Sequence, residues 1–282
     1  MSANKELSKM KNIFYCMLSV VLLAVMFFPL YWTVVTSFKF EKEIFQAPPT
    51  FFPSRINTAS YAAQLESGDF NMFRAFGNST LISVGSMLIA VLLSVPASYG
   101  IARFNFKGRK LCVLIFLITQ MLPVSVILTP MFIIFRNMGL LNSRFSPMLA
   151  DATIGIPFSV LILKDYFASV PKELDDASRI DGCNYFNSFI RIFIPIAFPG
   201  VIVCAVFSFL YAWGDLAFGM TFIQKQPMRP ITAGIFNFMG QYGTKWSYLT
   251  AFAVVTIIPA ALIFVFMQKY IISGLTSGAV KG

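Results

Sequence analysis

Four of the twelve acidic residues in the chain, Glu173, Asp175, Asp176 and Asp181, fall within nine positions, and two more, Asp151 and Asp215, stand alone inside long apolar runs. A carboxylate can move protons, hold a metal or accept hydrogen bonds from a hydroxylated ligand, and the first two roles need partners of particular types. Those partners are scarce. The chain has no histidine, which removes imidazole bases, His-containing nucleophilic triads and His-rich metal sites. Cys16, Cys112, Cys183 and Cys204 show no C-x-x-C spacing and read as small buried hydrophobes with free thiols. An intramembrane enzyme needs a nucleophile and a base, and two isolated acids supply neither. Binding is what remains for Asp151 and Asp215, with Tyr211 and Trp213 as aromatic neighbours of the second. The competing reading is an acid paired with an adjacent helix or reaching out to the membrane interface.

The elements that position these residues are membrane spans. Of 282 residues, 57% are hydrophobic and only 12% charged, and the mean hydropathy is +0.74; a soluble domain carries about twice that share of charge. Uncharged intervals long enough to cross hydrocarbon run from Asn12 to Phe38, Ala75 to Ala102, Leu111 to Phe135 and Trp246 to Gln268, and two further intervals each contain one acid, Asp151 or Asp215. The expected fold is an all-α membrane protein, one domain over 1–282 with six transmembrane helices near 13–37, 76–102, 111–135, 146–168, 196–222 and 247–272. Pro29, Pro96, Pro123, Pro130, Pro157 and Pro259 predict kinks within them. Small residues on the second span (Gly77, Ser83, Gly85, Ser86, Ala90, Ser94) predict close helix approach. The first span is too long for a signal-peptide core and is expected to be retained.

Lys and Arg split thirteen to nine between alternate loops, with the larger set on the side of both termini. Both termini are therefore expected to be cytoplasmic. The net charge of +10 is spread through loops rather than gathered on one face, which excludes a nucleic-acid surface. The outer loop 39–74 predicts one short helix at most. The outer loop 224–245, with Pro227 and Pro230, reads as a connector or as a contact for another protein.

Between the fourth and fifth spans, Pro171 followed by Glu173, Asp175 and Asp176 predicts a helix start, and Gly182 predicts its stop. Leu174, Ala177 and Ile180 form one apolar stripe. A second helical stretch, Tyr185 to Ile194, is expected to end at Pro195. An interfacial helix on an anionic leaflet would carry Lys and Arg, so an acid-rich one suits a groove on another protein.

Asp176-Ala177-Ser178, Gly182, and Ile192, Ile194 and Pro195 at their spacings make this stretch resemble the cytoplasmic E-A-A-x-x-x-G-(nine residues)-I-x-L-P signature of ATP-binding-cassette importer permeases. Asp for Glu, Ser for Ala and Ile for Leu are the departures. Pro171 to Leu174, Ala212-Trp213-Gly214-Asp215 and the tail from Gly274 to Gly282 resemble the carbohydrate-importer branch, above all the second permease subunit of maltose-type importers. That resemblance implies a type I ABC importer permease fold and a coupling segment at 171–195. Within it Glu173, Leu174, Asp175, Asp176, Ala177, Ser178, Ile180, Asp181, Gly182 and Pro195 would meet an ATPase subunit, and Gly278 and Lys281 of a cytoplasmic tail 273–282 would reach the same partner. Gly182 would let two short helices meet closely. Tyr211, Trp213, Asp215 and Asp151 would line a sugar pathway.

The chain has no G-x-x-x-x-G-K-[ST] phosphate loop, so ATP and Mg are expected on an ATPase dimer and none in this chain. The implied partners are that dimer, a second homologous permease, an extracytoplasmic solute-binding protein, membrane lipid and a sugar, in a bacterial plasma membrane. The same architecture importing glycerol phosphate or a polyamine, and an ion-coupled secondary transporter, are the rival functions; the secondary transporter would be expected to show an inverted repeat.

Overall fold

The computed structural model describes the backbone of residues 2–66, 71–240 and 243–279, and the side chains of residues 11–65, 71–236, 238–239 and 244–268. In chain order the helices are α1 (Ser2–Ser37), α2 (Glu41–Ile44), α3 (Ala59–Glu66), α4 (Met72–Arg103), α5 (Arg109–Met121), α6 (Val124–Asn137), α7 (Phe145–Ser169), α8 (Glu173–Ile180), α9 (Tyr185–Ser188), α10 (Ile194–Gly214), α11 (Ala217–Phe222), α12 (Ile231–Gly234) and α13 (Trp246–Ala279). A π-helical turn, Phe189–Phe193, joins α9 to α10. The extended pairing among described residues is a small antiparallel hairpin, Met239–Gly240 with Gly243–Thr244.

Among the described residues, five helical stretches are long and apolar enough to cross a membrane: Lys11–Ser37, Met72–Arg103, Phe145–Ser169, Tyr185–Gly214 and Trp246–Gln268. The span expected at 111–135 is not one helix. It breaks between α5 and α6 with a 102° bend, because Pro123 has no N–H to continue the ladder and forces Leu122 into extended backbone (ψ 123°). Taken as one broken span, the two halves make a sixth candidate crossing.

Three other expectations are corrected. Pro195 does not end the helix that precedes it: a π-helical turn, closed by the Ile194 N–H on the Phe189 carbonyl, comes before it, and the chain runs from α9 into α10. The fifth span stops at Gly214 rather than continuing to 222, and α11 follows a break at Asp215 and Leu216. Among the described residues of the loop 39–74 there are two short helices, α2 and α3, instead of one.

The chain divides into two compact units, Met1–Ser67 with Ile235–Val255, and Gly68–Gly234 with Thr256–Gly282. In the first, the end of α1 is tied to the loop after it. Lys39 is buried, donates to the Thr50 carbonyl and lies 4.7 Å from the Trp32 ring centre. Glu43 accepts from the Ser54 N–H (2.8 Å), the Ser54 hydroxyl (2.9 Å) and the Thr50 hydroxyl (2.9 Å). Burial alone would raise the Glu43 pKa, but these donors and the Lys39 charge outweigh it and hold the carboxyl below its usual range. Glu41 accepts from the Ser247 N–H at 2.9 Å, satisfying a donor in the first turn of α13.

The second unit is built on α4, α7 and α10. Ser83, Ser86, Ala90, Ser94 and Ser98 form the buried face of α4, and small residues opposite them let the helices close up. A Cβ on Gly155 of α7 would stand 2.8 Å from Ser208 Oγ on α10 and 3.2 Å from Ala90 Cβ on α4; on Gly200 it would stand 2.9 Å from the Tyr166 ring. Gly77 has no such neighbour within 4 Å. Substituting Gly155→Leu should overfill this junction and cost about 1–3 kcal/mol, read as a lower midpoint in a thermal melt of the detergent-solubilised protein followed by size exclusion. Gly77→Ala should leave the midpoint unchanged or slightly raised.

Candidate functional site

α8 forms because Glu173, Asp175 and Asp176 sit in its first turn, where the backbone N–H groups are unpaired and the helix dipole is positive. It ends at Gly182, which has φ +77°. The Gly182 N–H bonds the Arg179 carbonyl (3.0 Å) and the Cys183 N–H bonds the Ser178 carbonyl (2.9 Å), the paired closure that a left-handed residue permits at a helix end. The reason for glycine is thus conformational and not close helix approach, since a Cβ at 182 would meet nothing within 4 Å.

The faces of α8 are reversed from those of an ordinary surface helix. Leu174, Ala177 and Ile180 are all exposed, Ile180 by 86%, whereas Ser178 is buried and Asp175 is half-buried. The inward face is held by polar contacts. Arg103, at the end of α4, pairs with the Asp175 carboxylate and donates to the carbonyls of Val170 (2.8 Å), Phe167 (3.4 Å) and Pro171 (3.4 Å). Its guanidinium also lies 4.7 Å from the centre of the Phe193 ring. The Ser188 hydroxyl of α9 donates to that of Ser178 at 3.0 Å. The Asn184 side chain caps α9 by accepting from the Asn187 N–H at 2.8 Å.

Beneath these contacts lie aromatic rings. Tyr99 is within 4.7 Å of Phe189, 5.1 Å of Phe193 and 5.6 Å of Phe167, and Phe104 lies 5.3 Å from Tyr185. Arg179 stacks over the Tyr185 ring at 4.2 Å. Its hydrogen bond to Tyr185 comes first among the causes that raise its pKa. A cleft of about 450 Å³ opens beside α8, with Arg103, Phe104, Lys172, Asp176, Arg179 and Tyr185 on its walls.

Of the residues expected in the coupling segment, Glu173, Leu174, Asp176, Ala177, Ile180, Asp181, Gly182 and Pro195 are exposed, and Asp175 and Ser178 face inward. Gly278 lies in α13, which extends helically to Ala279 instead of giving way to a tail at 273. Lys281 lies outside the described residues.

The four pathway candidates separate. Asp151 is 1% exposed, and neither carboxylate oxygen has a hydrogen-bond partner among the described residues; the buried hydroxyls of Ser83, Ser86, Ser159 and Ser208, on the faces where α4, α7 and α10 pack, are likewise unpartnered. Asp151 and Asp215 lie close enough to each other and to Tyr211 to interact electrostatically. Trp213 is not with them: it is 4% exposed, its Nε1 donates to the Thr256 carbonyl at 3.0 Å, and its ring packs on Phe209 and Phe76. The carboxylate of Asp215 starts α11, accepting from the N–H groups of Phe218 (3.2 Å) and Gly219 (2.9 Å).

At the other end of α4, the segment after α11 is fastened by side chains that sequence reasoning passed over. Asn78 donates to the carbonyls of Pro227 and Arg229, each at 3.0 Å, and accepts from Arg144 Nε at 2.8 Å. Ser79 accepts from the Ile231 N–H at 2.8 Å. Asn142, with φ +57°, accepts from the N–H groups of Gln224 (2.8 Å) and Lys225 (3.1 Å). Asn78 does stand out as an amide in an uncharged run. Arg103 does not, because a basic residue at a span end is what topology alone requires.

Residues 90–277 match the family described as binding-protein-dependent transport system inner membrane component. The sulfoquinovosyl glycerol transport system permease protein SmoH of Agrobacterium fabrum is 31% identical over 255 residues, spanning 90% of this chain and 89% of its own length. The diacetylchitobiose uptake system permease protein DasC of Streptomyces coelicolor is 30% identical over 264 residues, spanning 94% and 95%. In three dimensions the chain superposes with TM-score 0.79 and 19% identity on a chain of a bacterial ABC transporter involved in the import of the acidic polysaccharide alginate, covering 93% of this chain and 96% of that one; this is a likeness of fold. With two thirds of its residues inside the family match and relatives aligned over nearly its whole length, the chain belongs to the inner membrane components of binding-protein-dependent transport systems.

Proposed function

We propose that this chain is one transmembrane subunit of an ATP-driven importer that moves a sugar or oligosaccharide delivered by an extracytoplasmic binding protein. A second permease and two ATPase subunits complete it, and the ATPases bind ATP and Mg. The α8 end faces the cytoplasm, as do both termini, and the 224–245 loop faces the binding protein. The saccharide reading is supported by similarity to SmoH, DasC and the arabinooligosaccharides transport system permease protein AraQ. Carriage of another solute by the same architecture is the second reading. Asp151, Tyr211 and Asp215 are the pathway candidates; Trp213, bonded to α13, serves packing. Gly278 and Lys281 are assigned to the ATPase side.

The observation that carries the proposal is the inverted α8. Leaving Leu174, Ala177 and Ile180 outward while Asp175 and Ser178 turn inward makes no sense for a helix that stabilises only its own chain, since apolar burial is the main gain a short helix can obtain. It makes sense for one that enters a groove on another protein. ATPase closure would push α8, and Arg103 would pass the push to α4 and α7.

Ile180→Asp should leave membrane levels of the chain intact and abolish co-purification of the ATPase with the tagged permease; full retention of the ATPase would sink the docking assignment. Arg103→Ala leaves a half-buried carboxylate and several carbonyls short of a donor, a cost of about 1–3 kcal/mol. The ATPase should stay bound while binding-protein-stimulated hydrolysis in proteoliposomes falls by roughly five- to a hundredfold. Screening neutral and charged saccharides for that stimulation tests the substrate class, and a response confined to a non-saccharide would favour the second reading.

A further inference from the structure

α4 is gripped at both ends, and at both ends the grip includes α7. At one end Arg103 holds the Phe167 and Val170 carbonyls at the close of α7 together with Asp175 of α8. At the other, Asn78 holds Arg144 at the start of α7 together with the Pro227 and Arg229 carbonyls. Between the grips, 25 residues of helix span about 38 Å at a rise of about 1.5 Å per residue. Along that length Ala90 and Gly155 are packed too closely for either helix to slide freely.

The far segment is rigid on the same evidence. Asn78 is 4% exposed and spends both amide hydrogens and its carbonyl oxygen on separate partners, a set that neither Asp nor a hydrophobe can reproduce. Arg229 Nε donates to the Ile223 carbonyl at 3.2 Å, and Gly219 packs so closely on Pro230 that a Cβ would stand 2.5 Å from its ring. Ser79 and Asn142 bind the same segment on either side.

We propose that α4 and α7 form a two-helix tie-beam, and that Asn78 is the positioning residue through which movement of α8 displaces the 224–231 segment on the opposite side of the membrane. The inference rests on the importer reading given above, and it adds that nucleotide state at the ATPases is felt at residue 225 through one hydrogen-bonded amide. Coupling of this kind requires an element whose position both ends share, and the beam is that element.

The test uses the whole complex, purified from its native membrane through a tag on this chain, with Cys16, Cys112 and Cys183 replaced by Ser. The exposed Lys225 is changed to Cys, and its alkylation by a membrane-impermeant maleimide is timed without nucleotide and with ATP–Mg trapped by vanadate. The expected result is a rate difference of about fivefold, the scale of a typical coupling. Asn78→Ala and Asn78→Asp should each abolish the difference while the amount of bound ATPase and trapped nucleotide stays the same. Asp retains an acceptor for Arg144 and so reports on the lost donors even where Ala fails to assemble. Arg103→Ala should abolish it too, and combining it with Asn78→Asp should add nothing. A difference that survives in Asn78→Asp overturns the tie-beam, as does its absence in the parent when the ATPase co-purifies. If no ATPase co-purifies with the parent, it is the importer reading that has failed, and the inference falls with it.

Discussion

A guanidinium is never discharged at any pH a cell tolerates, so a buried one must be surrounded by oxygen. Arg103 is 6% exposed, and the oxygens it finds belong to the last turn of α7, to the residues leading into α8 and to Asp175 itself. One charge thereby fixes the end of α4, the exit from α7 and the orientation of α8 relative to both. The aromatic cluster around Tyr99 packs against the same spot, with the Arg103 guanidinium over the Phe193 ring. With the bond between the Ser188 and Ser178 hydroxyls, this point of attachment keeps the polar side of α8 inward.

The spans were legible because their cause is local: hydrocarbon needs long uncharged runs, and the runs at Asn12, Ala75 and Trp246 could be counted. The errors fell at prolines and at one acid. Proline predicts an interruption but not its size, which neighbours decide; Pro96 and Pro157 stay inside helices, while Pro123 bends the chain by 102°. At Pro195 the chain used a wider turn instead of stopping. Asp215 looked like a charge within a span, and it is instead a helix start, a role that short-range geometry reveals and hydropathy hides.

The α8 segment was legible as a helix with a stripe, its acids and glycine being strong local signals. Which way the stripe faces was not, since that depends on Arg103, 72 positions before Asp175. The same holds for Asn78 and the carbonyls it binds about 150 positions later. Polar ties between segments far apart in sequence leave no periodic trace. The burial of the Asp151 carboxylate and of the Ser83, Ser86, Ser159 and Ser208 hydroxyls, unpartnered among the described residues, is equally hidden in the sequence, because it follows from the packing of α4, α7 and α10.

A helix lodged by greasy contacts can swivel about its own axis at little cost, because dispersion has no preferred direction. α8 is lodged by an ion pair and a serine-to-serine bond, both of which weaken steeply when misaligned. Torque on such a cylinder cannot be shed by spinning; a sideways load on its outer surface has to emerge as displacement of whatever it is bolted to.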